Sequence, residues 1–198
     1  LIGYFYNKFD FPIRFLYSKL NLNKILFWKL YTSDFKKLDS QFEEIKKRMN
    51  KIHRSFKGKT CLELGPGNSY FNAYNLLMNG AKKVILVDKF PRYIKTSKQE
   101  EFFNNELDYI KQKYAKKDLF FIKNGKINKE YIKFIEGDFA KINFKEKIDL
   151  VLTISVFEHI KNIEEVISKL SKVMKKGGLM YHSIDLRDHY NFNKPFLF

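Results

Sequence analysis

The sequence predicts an α/β protein, a doubly wound parallel sheet with a helical cap in front of it. Three observations carry this. Short apolar runs such as residues 60–64 and 84–87 lack the alternation of half-exposed strands and suit strands buried on both faces. Stretches of helical period separate them. Each run ends on glycine or an acid: Gly65-Pro66-Gly67, Asp88 and Glu136-Gly137-Asp138.

Residues 1–57 form the expected cap and residues 58–198 the main domain. The first thirty residues are aromatic and basic, with Tyr4, Phe5, Phe9, Phe15 and Trp28, and Pro12 interrupts them. A segment packing on the domain or a partner chain is expected there. Docking on a membrane surface or a lipid-linked substrate is the functional alternative. Ser33 or Asp34 then opens a helix whose stripe is Phe35, Leu38, Phe42, Ile45, Met49 and Ile52, with Lys and Glu on the other face.

Residues 60–90 are the organising stretch. Thr60, Cys61, Leu62 and Leu64 make the first strand. Asn68 or Ser69 is placed to cap the next helix, which carries Phe71, Tyr74, Leu77 and Met78 and stops at Asn79-Gly80. Residues 84–87 are the second strand and Asp88 closes it. Gly65 and Gly67 allow a sharp turn and a close backbone approach to a ligand. An acid at the next strand end lies beside the same crevice and can accept both hydroxyls of a ribose. A nucleoside cofactor follows. A dinucleotide fingerprint needs a third small residue, where Tyr70 stands, and Glu63 would oppose a diphosphate. A cofactor without phosphate and with a cationic centre fits better, and S-adenosylmethionine is one.

A helix over residues 99–117 follows, with Phe102, Phe103, Leu107, Ile110 and Tyr114 in phase, then a turn at Asn124-Gly125. Residues 131–135 are the third strand and 147–155 the fourth. Asp149 opens the fourth strand and reads as structural. A helix capped by Asn162 has Ile163, Val166, Ile167, Leu170, Val173 and Met174 as its expected buried stripe. Gly177-Gly178 is expected to stop it before a fifth strand over residues 179–184.

At 198 residues the chain is long enough for a sizeable core. No apolar run reaches the roughly 18 residues a membrane span needs, and no signal peptide is evident, so a cytoplasmic protein is expected, with peripheral membrane contact through the N-terminus as the variant. A single cysteine excludes an intrachain disulfide. The net charge of +16 comes from scattered lysines without an RNA-binding motif, so nucleic-acid binding is not expected.

Glu63-Leu64-Gly65-Pro66-Gly67, Val87-Asp88, Glu136-Gly137-Asp138, Ser155-Val156-Phe157-Glu158-His159-Ile160, Lys175-Lys176-Gly177-Gly178 and Ile184-Asp185-Leu186-Arg187-Asp188-His189 occur in this order. Together they resemble class I S-adenosylmethionine-dependent methyltransferases, of a subfamily with the last motif. The resemblance spans roughly residues 57–192 and implies a Rossmann-like sheet. It also implies two further C-terminal strands. The chain stops before these, so a fragment or a shortened variant is expected.

The resemblance implies methyl transfer by in-line displacement, with S-adenosyl-L-methionine as cofactor. Glu63, Gly65 and Gly67 would line its methionine end, Asp88 its ribose, and Asp138 and Phe139 its adenine, with Ser155 also on the cofactor side. His159 is the candidate general base, with Glu158 orienting it or binding the acceptor. His182, Asp185, Arg187 and His189, near the end of the fifth strand, are candidates for the acceptor site. His182, Asp185 and His189 have no diagnostic metal spacing, and no metal is expected. The acceptor reads as a small molecule, a sugar or a lipid-linked group, and O-methylation as the reaction. Aminopropyl transfer, a nicotinamide-dependent reaction and a non-catalytic binding or adaptor module remain the alternatives.

Overall fold

The computed structural model describes residues 34–67, 69–89, 97–115 and 117–186, with the side chains of 97–99 excepted. The chain divides into two compact units, one of Leu1–Asp34 with Asp185–Phe198 and one of Phe35–Ile184. The first unit lies almost wholly outside the described residues, and with it the aromatic segment, Arg187 and His189. The account below concerns the second.

Its elements are α1 (Phe35–Lys51), β1 (Thr60–Leu64), α2 (Phe71–Met78), β2 (Lys83–Asp88), α3 (Ser97–Lys113), β3 (Ile122–Lys123), β4 (Lys126–Ile127), β5 (Ile132–Glu136), β6 (Ile148–Ile154), a 3-10 turn (Phe157–His159), α4 (Ile163–Val173) and β7 (Met174–Ser183). Five strands form one sheet in the order β5-β2-β1-β6-β7. Every neighbouring pair in it is parallel. The order runs outward one way from β1 through β2 and β5, then the other way through β6 and β7. The switch point is between β1 and β6, where an open α/β sheet leaves a crevice at the carboxyl ends of its strands.

The apolar runs without alternation are explained by two cores, one on each face. Cys61, Val84, Leu86, Leu150 and Leu152 pack with Phe42, Ile45 and Met49 of α1, Phe71 and Tyr74 of α2, and Leu107 and Ile110 of α3. Leu62, Leu64, Ile85, Val87 and Val151 pack on the other face with Phe139, Phe144, Phe157 and Val166, Leu170 and Val173 of α4. The sheet is therefore covered on both sides, the condition that purely parallel sheets require. Cys61 is wholly buried, and burial, with Asp149 and Glu63 adding to it, pushes its thiol up to about 12. It behaves as a small apolar residue.

Four expectations are corrected in detail. Ile163 and Ile167, expected on the buried stripe of α4, are exposed, and the buried face is Val166, Leu170 and Val173. The stripe of α1 ends at Met49, because the helix stops at Lys51 and leaves Ile52 54% exposed. Asn162 does not cap α4 with its side chain; its amide instead donates to Glu165 Oε1 (3.3 Å). The fifth strand begins at Met174, not Leu179. Met174 leaves α4 in an extended conformation and pairs with Ile148, and the register then shifts before Leu179 meets Leu150. The Gly177-Gly178 pair lies in that irregular stretch, and Gly177 takes φ +75°. The glycines mark a bulge in the strand rather than a loop before it.

The stretch between β2 and β5 adds α3 and a small hairpin. Asn124 and Gly125 both adopt positive φ (52° and 70°), as a two-residue turn between antiparallel strands demands. Beside it Phe121 is fully buried and stacks on Tyr74 (5.1 Å between centroids). The insertion is thus part of the α2-side core.

Candidate functional site

The carboxyl ends of the parallel strands bring most of the expected residues to one edge. Register decides this: Leu64 is level with Val87 and Thr153, Asp88 with Glu136, and Thr153 with His182. The chain leaving each strand therefore emerges beside its neighbours.

Past β1 the backbone turns through Gly65 (φ +67°) and Gly67 (φ +60°), a conformation that side chains penalise. The Gly65 N–H donates to Val87 O (2.8 Å) and the Gly67 N–H to Asp88 Oδ2 (3.0 Å). The turn is thereby tied to the end of β2. The two glycines differ in surroundings. A Cβ at Gly65 would lie 2.6 Å from Val156 Cγ2, whereas one at Gly67 would meet nothing within 4 Å. The loop after β6 is thus packed against the first glycine, and the second faces open space.

Glu63 is buried in β1, and its Oε1 accepts from Asn72 Nδ2 of α2 (2.7 Å). Asp88, also buried, holds Gly67 through one oxygen, and its carbonyl accepts from the Gly137 N–H (2.8 Å). Asp138 Oδ1 accepts from the Ala140 N–H (3.1 Å), and Lys89 Nζ lies 3.8 Å from Asp138 Oδ2. The Phe139 ring is buried edge-on to Phe144 (5.5 Å) with Lys169 Nζ 5.2 Å from its centroid, so only its backbone is suited to meet a ligand.

On the other side of the switch point Ser155 adopts φ +51°, is exposed, and its N–H donates to Ser183 O (2.8 Å). Phe157 is buried, Glu158 half-buried and His159 exposed on the 3-10 turn. His182, half-buried at the end of β7, places Nδ1 2.7 Å from Thr153 Oγ1 and stacks on Phe157 (4.2 Å, 27°). Burial holds its pKa below the ordinary histidine value, which favours the neutral imidazole. Asp185 belongs to the other unit.

Three participants were not among the expected site residues. Thr153, a wholly buried hydroxyl near the end of β6, meets His182. Asn72 meets Glu63. Glu106 of α3 is fully buried, and its carboxyl group accepts from the Ser69 hydroxyl and, through Oε2, from the Tyr70 N–H (3.1 Å). Ser69 Oγ in turn accepts from the Phe71 N–H (3.0 Å), so Ser69 does serve the start of α2, while Asn68 lies outside the described residues. The N-terminal end of α2 is where a dinucleotide site receives its pyrophosphate. Here Glu106 takes that position. A sequence signal for it existed: Glu106 is in phase with Phe103, Leu107 and Ile110 on the buried stripe of α3, and a buried carboxyl group needs partners.

A methyltransferase-domain family model matches residues 36–197. The chain belongs to this family. Among curated relatives of this methyltransferase-domain chain is the mitochondrial ubiquinone biosynthesis O-methyltransferase of Dictyostelium discoideum, 26% identical over 148 residues. That match covers 75% of the chain and 40% of the relative's length. Solved structures similar to it include a SAM-dependent methyltransferase from Thiobacillus denitrificans in complex with S-adenosyl-L-homocysteine. It is 16% identical with a TM-score of 0.39, over 63% of this chain and 41% of that one. Another is protein arginine methyltransferase 10 of Arabidopsis thaliana, 23% identical with a TM-score of 0.38, over 64% and 30%. Among the described residues of this methyltransferase domain, no cluster of three or more His, Cys, Asp or Glu side chains is placed to hold a metal ion. No described helix is long and apolar enough to cross a membrane.

Proposed function

We propose that the chain is an S-adenosylmethionine-dependent methyltransferase acting on the hydroxyl of a small-molecule, sugar or lipid-linked acceptor. One observation carries most of the weight: the Gly67 N–H bonded to the Asp88 carboxyl group, which joins a left-handed glycine turn to the acid of the next strand at the sheet's switch point. The residues present fit the cofactor. The open face beside Gly67 leaves room for it, Glu63 and Asp88 supply acceptors for its cationic and ribose groups, and the Asp138–Phe139 backbone suits its base. The carboxyl group of Glu106 at the start of α2 disfavours a diphosphate and hence a nicotinamide dinucleotide.

When bound, the cofactor supplies an activated methyl group. The chain's own task is to align an acceptor oxygen with it and to take up the proton that oxygen loses. His159, exposed at the mouth of the β6 loop, receives the proton, and the neighbouring Glu158 orients the imidazole or binds the acceptor. Ser155 borders the cofactor on the same loop. The neutral imidazole of His182 contributes a polar contact to the acceptor, and Asp185, Arg187 and His189 are kept as acceptor candidates on the sequence motif alone. The name of the Dictyostelium relative supports oxygen as the atom methylated. Peripheral membrane docking through residues 1–30 belongs to the lipid-linked version of this reading, with the protein otherwise cytoplasmic.

Calorimetric titration of S-adenosylhomocysteine, with NAD as control, tests the reading. Micromolar binding of the former and none of the latter is expected. His159→Ala should leave that binding intact and lower turnover of an accepted substrate by about 10²–10⁴-fold, the usual contribution of a general base. A folded protein that ignores S-adenosylhomocysteine, or a His159→Ala variant that cannot bind it, would overturn the cofactor or the base assignment respectively. Binding without turnover of any acceptor would favour the adaptor alternative.

A further inference from the structure

We infer that Glu106 is a positioning residue for the glycine turn: through Ser69 and the Tyr70 N–H, it fixes from α3 the junction at which the cofactor loop becomes α2. The inference deepens the reading above and rests on it for its effect on cofactor affinity.

Among the described residues, the segment from Gly67 to Phe71 is anchored at both ends. On one side Gly67 is held by Asp88. On the other, α2 begins with Tyr70 at its N-cap, whose own side chain supplies no capping bond. A helix start leaves backbone N–H groups without partners inside the helix, and short polar residues at the cap ordinarily satisfy them. Here the need is met from 36 residues along the chain. Glu106 offers one oxygen to the Tyr70 N–H and the other to the Ser69 hydroxyl, which itself accepts from the Phe71 N–H. Two successive residues, Ser69 and Tyr70, are thus held directly by one wholly buried carboxyl group, and Phe71 is held through Ser69.

The placement couples two parts of the chain. Helix α3 carries Phe103, Leu107 and Ile110 into the core shared with α1 and α2, so Glu106 is carried on a packed helix and not on a loop. Movement of α3 would be transmitted to Ser69–Phe71 and from there to Gly67, whose N–H partner Asp88 is assigned to the ribose. The Tyr70 ring adds a second tie, packing edge-on to Phe103 one turn earlier on α3 (6.3 Å). A wholly buried side chain on a neighbouring helix therefore sets the shape of the loop that receives the cofactor.

The test compares wild type, Glu106→Gln, Glu106→Ala and Ile110→Ala. The last removes a buried side chain from the same helix without touching the turn. Amide hydrogen exchange is followed over residues 65–72, together with thermal midpoints and calorimetric titration of S-adenosylhomocysteine. Glu106→Ala should speed exchange in that segment at least tenfold and weaken S-adenosylhomocysteine at least tenfold. Glu106→Gln, which can still accept from Tyr70 and meet the Ser69 hydroxyl, should recover most of both. Ile110→Ala should lower the midpoint with no selective change in the segment. Equal segment exchange in Glu106→Ala and Ile110→Ala at matched loss of midpoint would overturn the inference, as would unaltered affinity in a Glu106→Ala variant whose wild type binds. Loss of protection in Glu106→Ala together with a wild type that does not bind would sink the cofactor reading and leave the positioning role standing.

Discussion

The two ends of the sheet each contain an aspartate that accepts a backbone N–H, and the two do different things. At the carboxyl end Asp88 Oδ2 holds the Gly67 N–H at 3.0 Å. At the amino end Asp149 Oδ2 holds the Thr60 N–H at 2.9 Å. The bond is the same, but the surroundings differ. Asp149 is also paired with Lys175 Nζ (2.8 Å), and nearby Glu146 takes Lys83 (2.9 Å), the first residue of β2, and Lys133 (3.4 Å), the second of β5. Burial pushes both carboxyl groups up, but the lysines and, for Asp149, the Thr60 N–H outweigh it and hold both below the carboxylate range. Those acids are saturated by fixed cations of the chain and pin strand starts. At the carboxyl end the partners are mostly backbone and neutral groups: the Gly67 N–H for Asp88, Asn72 for Glu63, the start of α2 for Glu106, and the Ala140 N–H for Asp138, which also has Lys89 at 3.8 Å. An acid's role in this fold follows from which end of a strand it occupies, because successive strands run parallel and all their carboxyl ends meet.

The largest effect that would sharpen this contrast is at Gly65. Alanine there must take φ +67° and also crowd Val156, so Gly65→Ala should cost about 2–4 kcal/mol in stability and cofactor affinity together. Gly67→Ala meets open space and should cost only the backbone part, about 1–2 kcal/mol. Adding Val156→Ala to Gly65→Ala should restore the steric part alone, a coupling that a double-mutant cycle on the S-adenosylhomocysteine dissociation constant would read. Equal losses at the two glycines would show that the β6 loop does not press on the turn.

Next in size is the pair of aspartates. Asp88→Ala should weaken cofactor binding by about 1–3 kcal/mol, since it removes the acceptor of the Gly67 N–H and, on the proposed reading, of the ribose hydroxyls. Asp88→Asn can still accept from Gly67 and should fall between. Asp149→Ala should leave the dissociation constant unchanged to within about twofold, as a distant and independent site does. Titration of the three variants decides it. Weakened binding in Asp149→Ala would erase the distinction between the two ends.

How far this could be read from the sequence follows the same division. Strand ends, glycine turns and the acids beside them are local, so Gly65, Gly67, Asp88 and Asp138 could be placed at one edge from spacing alone. Even the structural reading of Asp149 came from its position before a strand. What could not be read depends on pairs far apart in the chain. Glu106 reaches a turn 36 residues earlier, and His182 meets a threonine 29 residues before it. Lys113, joined to Asp39, Glu43 (2.9 Å) and Asn75 (3.0 Å), binds α1, α2 and α3 together in the same way. Hydrophobic period shows which face is buried, but it does not show which polar group on that face finds which partner. The start of β7 at Met174 was missed for a related reason. A glycine pair stops a helix and shapes a bulge equally well, and only the pairing with Ile148 chooses.

The smallest expected effect concerns pH. Asp149 has a folded pKa lowered by Lys175 and the Thr60 N–H, so its contribution to stability is present above its unfolded value, about 3.9, and is lost as pH falls through the folded value. Asp149→Asn should therefore lower the unfolding free energy at pH 7 by about 1 kcal/mol or less. The bound is low because the Lys175 side chain is 46% exposed and solvent screens the pair. The deficit should hold from pH 7 down to about pH 5, then shrink and vanish as the wild-type carboxyl group takes up its proton. Added salt should reduce the part due to Lys175 and spare the part due to the backbone N–H. Urea titrations at pH 7, 5 and 3 and at two salt concentrations would separate the two. A deficit that grew on acidification would require the folded pKa to lie above the unfolded one, and Asp149 would then belong with the strained acids of a site and not with the clamps of the amino end.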